Sequence, residues 1–222
     1  MGTIIENLAK IQHEINNAKQ NSPYNQEVQI IAVTKSVSNE RTVEAFEADI
    51  NHLGENRPEG LMQKVDVLGC KPIWHYIGTL QTRKVKQVLP YVDYIHSLDR
   101  LSLAEEINKR AEHVVKCFVQ VNVAKEESKH GLNVEELHTF IDQLKAYSKI
   151  QVVGLMTMAP FTEDELVLRQ TFKQLKQLQL EIQHKNEAHA PCTELSMGMS
   201  NDYTIAIEEG ATFVRIGTAL VG

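Results

Sequence analysis

Eight short apolar runs constrain this chain more than any other feature of its sequence. They are VQIIAVTK, NHLGEN, IWHYIG, VDYIHSLD, VKCFVQVNV, IQVVGLMTM, CTELSMG and TFVRIG. Most are near-continuous in apolar residues, the pattern of strands buried on both faces of a parallel sheet. Helical patterns separate them. Ile4, Leu8, Ile11, Ile15 and Ala18 recur at spacings of three and four, and NSPYN closes that face. Ser38 and Asn39 open a helix after the first run, and Asn133 caps NVEELHTFIDQLKAY. Ser102 with Glu105 and Thr162 with Glu165 read as capping boxes. The second opens a long helix with Leu168, Phe172, Leu175, Leu178 and Ile182 as its apolar stripe. Eight strands alternating with helices predict an α/β fold, a single (β/α)8 TIM barrel over residues 1–222, with an extra N-terminal helix over 1–20 packed on it. An open doubly wound sheet would place a glycine-rich turn after its first strand, and TKSVSN contains no glycine.

Charge and cysteine usage narrow the function classes. A net charge of −6 argues against nucleic-acid binding, which needs a basic face, and the one dense basic patch, QTRKVKQ, reads as a solvated helix face. The three cysteines, Cys70, Cys117 and Cys192, are odd in number and far apart, as expected of reduced thiols in the cytoplasm. The opening segment is not a signal peptide, because polar residues interrupt every apolar run, and no stretch approaches a membrane span. The nine histidines show no metal-ligand spacing, so no metal is expected.

In such a barrel the chemistry sits at the C-terminal ends of the strands. There the sequence places Lys35, Gly54 to Asn56, His75 to Gly78, Asn122, Met156 to Met158, Ser196 to Ser200 and Arg215 to Thr218. The loops after strands seven and eight are rich in Gly, Ser and Thr and suit a phosphate. Their plainer reading is that Ser200 or Asn201 caps the next helix and that Gly217 and Thr218 form a turn. Lys35 is either a solvated strand terminus or a nucleophile at the mouth of the barrel. As a nucleophile it would form an imine with an aldehyde, and burial with a nearby cation such as Arg215 would favour the neutral amine. A phosphorylated aldehyde spanning both features suggests pyridoxal 5′-phosphate (PLP).

The segments IIAVTK, GENR, WHYIGTLQTRK, GLMTMAP and SMGMSNDYTIAIEEGATFVRIGTALVG resemble the YggS/PROSC family of PLP homeostasis, or PLP-binding, proteins across nearly the whole chain. The resemblance implies a barrel of the alanine racemase N-terminal domain type, with PLP held as a Schiff base, the internal aldimine, on Lys35. Ser200, Gly217 and Thr218 would hold the phosphate, with Met199 and Ser196 lining the same loop. Arg215 would face the pyridine nitrogen, Asn56 and His75 would lie near the cofactor, and Met156 would pack beside it. The polar loop with Glu126, Glu127 and Lys129 would border the pocket. The chain departs from the family at Leu53, where phenylalanine is usual, and at Thr79, where a more polar residue is common. Pro58 and Gly60 stand where a longer helix is usual, so that helix is expected to start late. The end at Gly222 puts the helix that closes the barrel in doubt.

A cation beside the ring nitrogen disfavours its protonation and weakens the ring as an electron sink. Related racemases use a second base, a tyrosine from another domain, which this sequence is not expected to supply. Tyr76 reads as a packed aromatic, Tyr203 as a cover for the phosphate loop, Trp74 as core, and His75 as either a hydrogen-bonded barrel histidine or a pocket-lining one. The sequence therefore points to a cytoplasmic, monomeric carrier of vitamin B6 cofactor rather than an enzyme. Its partners would be PLP and PLP-dependent apoenzymes, not nucleic acid or membrane. The rival functions are a small PLP-dependent amino acid racemase, a cofactor-free aldolase using Lys35, and an interaction protein with a degenerate site.

Overall fold

In the computed structural model, which describes residues 2–124 and 130–222, the eight apolar runs form one closed parallel barrel in sequential order. Its strands are β1 (Gln29–Val33), β2 (His52–Glu55), β3 (Ile73–Tyr76), β4 (Tyr94–Leu98), β5 (Val115–Gln120), β6 (Ile150–Met156), β7 (Glu194–Met199) and β8 (Phe213–Ile216). Closure is made by β1 against β8, with Gln29 opposite Phe213 and Ala32 opposite Ile216. The helices are α1 (Ile4–Asn21), α2 (Asn39–Glu47), α3 (Pro58–Leu68), α4 (Val85–Val88), α5 (Leu101–Arg110), α6 (Leu137–Leu144), α7 (Glu165–His184), α8 (Tyr203–Glu208) and α9 (Thr218–Val221).

The alternation of each strand divides the core in two. Outward residues such as Leu53, Trp74, Ile95 and Val214 pack against the helices in the main apolar cluster. Inward residues Ile31, Phe118, Val153, Met156 and Phe213 form a smaller cluster inside the barrel, which also encloses His75, His96, Ser196 and Arg215. The stripe Ile4, Ile11, Ile15 and Ala18 is buried and seats α1 on the barrel. Long-range hydrogen bonds fasten it. The Asn7 side chain donates to the Leu220 carbonyl at 3.0 Å, and the Tyr203 hydroxyl donates to the Glu14 carboxylate.

Several helix starts differ from the sequence expectation. Arg100 precedes α5, so Ser102 lies inside the first turn rather than capping it. Asp164, not Thr162, caps α7, accepting from the N–H groups of Leu166 and Val167. The Thr162 hydroxyl accepts from Asp164 N–H instead. Helix α3 starts at Pro58 itself and not late, since proline lacks an N–H that the first turn would leave unpaired anyway. Ser38 caps α2, and Glu136 accepts from Asn133 N–H at the start of the α6 segment. A single turn, α9, follows β8, so the closing helix that the sequence left in doubt is present.

Candidate functional site

The C-terminal ends of the strands open into a cavity of about 1110 Å³. Lys35 stands at its rim, two residues past the end of β1, beside Val33. It is exposed, which corrects the expectation of a buried amine. Ser200, Gly217 and Thr218, from the turns after β7 and β8, line the same cavity, as do Asn56, Met156, Met199 and Arg215. The Ser200 hydroxyl accepts from Gly217 N–H at 3.3 Å, which ties the two turns together. Neither Ser200 nor Asn201 caps α8. That position belongs to Asp202, whose carboxylate accepts from Met199 N–H at 2.5 Å.

Arg215 forms the cavity floor. It is buried on β8 yet keeps its side chain in contact with the open space. Its Nη1 donates to Ser196 Oγ at 2.6 Å and its Nη2 to the Thr157 carbonyl at 2.9 Å. Burial lowers its pKa to about 10, which leaves it a cation at neutral pH.

His75 and Ser196 do not line this cavity. Both sit beneath Arg215 inside the barrel, because inward side chains from the middle of β3 and β7 point into its filled centre. His75 links His52 and His96, and His96 links His75 to Ser196. Burial holds the pKa of both His75 and His96 well below the usual histidine value. The two tyrosines also face elsewhere. Tyr76 is packed, with its hydroxyl pKa pushed up to about 12 by burial, and Tyr203 is bonded to α1 rather than covering the phosphate turn. Among the described residues lining the cavity there is no tyrosine, histidine or cysteine. The loop with Glu126, Glu127 and Lys129 lies outside the described residues.

Sequence reasoning missed a buried ion pair next to Lys35. Lys64 on α3 donates to the Glu55 carboxylate and to the Thr34 carbonyl, while the Thr34 hydroxyl donates to Glu55 at 2.6 Å. Glu55 is 1% and Lys64 5% exposed. The signal was there: Lys64 falls in the same helical stripe as Leu61 and Leu68. The histidine series was legible too, since the runs of β2, β3 and β4 each carry one histidine.

The cavity wall is set by a close backbone approach. A Cβ on Gly78 would fall within the van der Waals envelope of the Asn56 carbonyl and Cα. Backbone cannot turn aside as a side chain can. Gly78→Ala is therefore expected to destabilise the fold by about 1–3 kcal/mol, read as a lower urea midpoint at unchanged slope. An unchanged midpoint would show that β2 and β3 separate freely at the rim.

The residues suit a phosphorylated aromatic aldehyde. An amine, a hydroxyl- and glycine-lined end, and a buried cation surround one space whose walls include Ile77, Met156 and Leu168. Comparison with known proteins agrees. The family described as "Alanine racemase, N-terminal domain" matches residues 7–222. A "Pyridoxal phosphate homeostasis protein" of Aquifex aeolicus is 40% identical over 197 residues, covering 87% of this chain and 86% of that one. The structure of PipY from Synechococcus elongatus PCC7942, with PLP bound, superposes with a TM-score of 0.85 at 32% identity, covering 99% of this chain and 100% of that one. An alanine racemase of Clostridium difficile shares the fold, with a TM-score of 0.74 at 14% identity over 96% of this chain and 56% of that one.

Proposed function

Because this chain belongs to the pyridoxal phosphate homeostasis protein family, which carries the alanine racemase N-terminal domain, we propose that it binds PLP through Lys35 and buffers the intracellular supply without fast catalysis. The observation that carries this reading is the meeting of Lys35, Ser200, Gly217, Thr218 and Arg215 on one cavity. PLP brings an aldehyde that an uncharged primary amine captures reversibly, with loss of one water. Lys35 supplies the amino group from an exposed rim, where cofactor can enter and leave. Ser200, Gly217 and Thr218 receive the phosphate. Met156 and Met199 flank the ring, and Asn56 lines the wall beside them.

Arg215 bears on the choice between carrier and enzyme. A guanidinium has donors and no acceptor, so against a ring nitrogen it occupies the lone pair and leaves that nitrogen unprotonated. A neutral ring stabilises a carbanion poorly. Racemisation would then depend on two bases on opposite faces, and the described lining offers no tyrosine, histidine or cysteine for the second, its acidic side chains being Glu163, Glu165 and Asp202. These features favour storage and delivery to PLP-dependent apoenzymes over turnover.

The test is direct. Protein loaded with PLP is expected to show a visible absorption band, and borohydride is expected to fix the cofactor on the peptide containing Lys35. A tag on another residue would overturn the role of Lys35, and absence of any band would overturn PLP binding. Incubation with several amino acids in deuterium oxide is expected to leave their α-protons in place. Substantial exchange would replace the carrier reading with a racemase.

A further inference from the structure

We propose that His96, backed by His75 and His52, is a positioning residue for Arg215: the guanidinium fixes the direction of a hydrogen-bonded column through the barrel, with all three imidazoles as neutral Nε2–H tautomers. The column begins at Arg215 Nη1, which donates to Ser196 Oγ at 2.6 Å. Arginine cannot accept, so the hydroxyl proton of Ser196 has to go elsewhere. The neighbour in reach is His96 Nδ1, at 2.9 Å. If the hydroxyl donates there, Nδ1 is bare and the His96 proton sits on Nε2. That atom lies 2.8 Å from His75 Nδ1, and His75 Nε2 lies 2.8 Å from His52 Nδ1. Each donor in turn finds a bare nitrogen, and the last Nε2–H belongs to His52.

The reverse direction fails at Ser196. There Arg215 and His96 would both donate to one oxygen whose own proton was stranded in a site with no solvent contact. A buried unpaired donor of that kind is destabilising. The surroundings also keep the rings uncharged. His75 stacks on Tyr94 with centroids 4.5 Å apart, His96 stacks on Phe118 at 4.4 Å, and Phe213 packs edge-on to Phe118. Burial lowers the pKa of His52 as well, with Lys116 adding to the effect and Asp93 opposing it.

The column spans the barrel. His52 opens β2 and lines a second cavity, of about 850 Å³, among the first residues of β1, β2 and β3 and beneath α1. Arg215 ends the column at the cavity on the opposite rim. Two of the five guanidinium donors are thereby committed to Ser196 and Thr157. The plane of the group is fixed, and its remaining donors are presented to whatever occupies the cavity.

The first test needs no cofactor. In protein labelled with ¹⁵N-histidine, long-range ¹H–¹⁵N correlation spectra at pH 7.5 are expected to show His52, His75 and His96 as Nε2–H tautomers. Single His→Gln variants supply the assignments. A proton on His96 Nδ1, or an imidazolium at His75 or His96, would overturn the column. The second test rests on the PLP reading. His96→Leu removes the acceptor for Ser196, whereas His96→Asn keeps one near the Nδ1 position. In PLP-loaded protein His96→Leu is expected to move the visible band and its pH profile and to weaken PLP retention about tenfold, the loss of roughly one buried hydrogen bond. His96→Asn is expected to restore both. A band identical in all three proteins would remove the positioning role. If the parent protein takes up no PLP, the cofactor reading fails while the tautomer result still decides the column.

Discussion

Lys64→Met is expected to destabilise the protein by roughly 3–5 kcal/mol, close to the whole stability of a modest domain. The substitution conserves volume and apolar packing, so the loss comes from the polar partners that Lys64 leaves behind. Glu55 would remain as a carboxylate with 1% exposure, its ammonium partner gone and the Thr34 hydroxyl still donating to it. The Thr34 carbonyl would lose a donor at the same time. Removing both charges is expected to undo most of the damage: in Glu55→Gln with Lys64→Met, the glutamine can still accept from Thr34 and no buried charge is stranded. Urea unfolding of the two variants beside the parent measures the difference. A double variant no more stable than the single one would mean that packing of the α3 stripe, not charge compensation, is what Lys64 provides. Because Thr34 adjoins Lys35, the single variant is also expected to hold PLP more weakly.

Acid is the second strong lever. His75 and His96 have pKa values lowered well below 6.5, by burial first and then by neighbouring charge, so the folded protein carries them neutral. The unfolded chain protonates both near pH 6.5. Below that value the unfolded state binds more protons than the folded one, and stability falls as pH falls. Their contribution is fully present above about pH 6.5 and is lost progressively from there down to the folded-state values. Two such groups give a slope of about 2.7 kcal/mol per pH unit. Unfolding free energies from urea titrations in steps from pH 7.5 to 5.5 are expected to hold and then fall, with a slope that steepens toward that limit near pH 5.5. A midpoint that stayed level to pH 5.5 would mean that the barrel accommodates the two imidazolium charges.

The elements that sequence made legible are those whose signal is repeated burial. Each of the eight apolar runs became a strand, because a strand covered on both faces needs little beyond apolar length. Helix starts were read less well. Ser102–Glu105 and Thr162–Glu165 have the spacing of a capping box, yet the chain enters α5 two residues earlier and α7 two residues later. The spacing rule names which side chains could reciprocate but not which residue leaves the helical backbone. At the site, Lys35, Asn56, Met156, Met199, Ser200, Arg215, Gly217 and Thr218 share the cavity, because strand ends and turns announce themselves by composition. Ser196, and His75 in its pocket-lining reading, lie one layer deeper than expected, whereas the other reading of His75, a hydrogen-bonded barrel histidine, is what the structure shows. Period-two alternation tells inward from outward, but depth along the barrel depends on strand stagger, which only the closed sheet defines. Lys64 is hard to read in the sequence for a different reason. A lysine within an apolar stripe reads as solvated until its carboxylate partner, nine residues earlier in the chain, is seen to fold back over it.

The attachment of α1 has a consequence for how the molecule is made. Its side chains bond to partners near the other end of the sequence, Asn7 to Leu220 and Glu14 to Tyr203, and β1 finds one of its two neighbours in β8. The helix therefore meets these partners only after the chain has run 189 to 213 residues past the side chains that bond them. Throughout that interval the stripe of Ile4, Ile11 and Ile15 faces water or a chaperone, and the sheet has an open seam. Ring closure and the full docking of α1 both require the C-terminal segment, and so does the PLP cavity, whose floor is laid by β8.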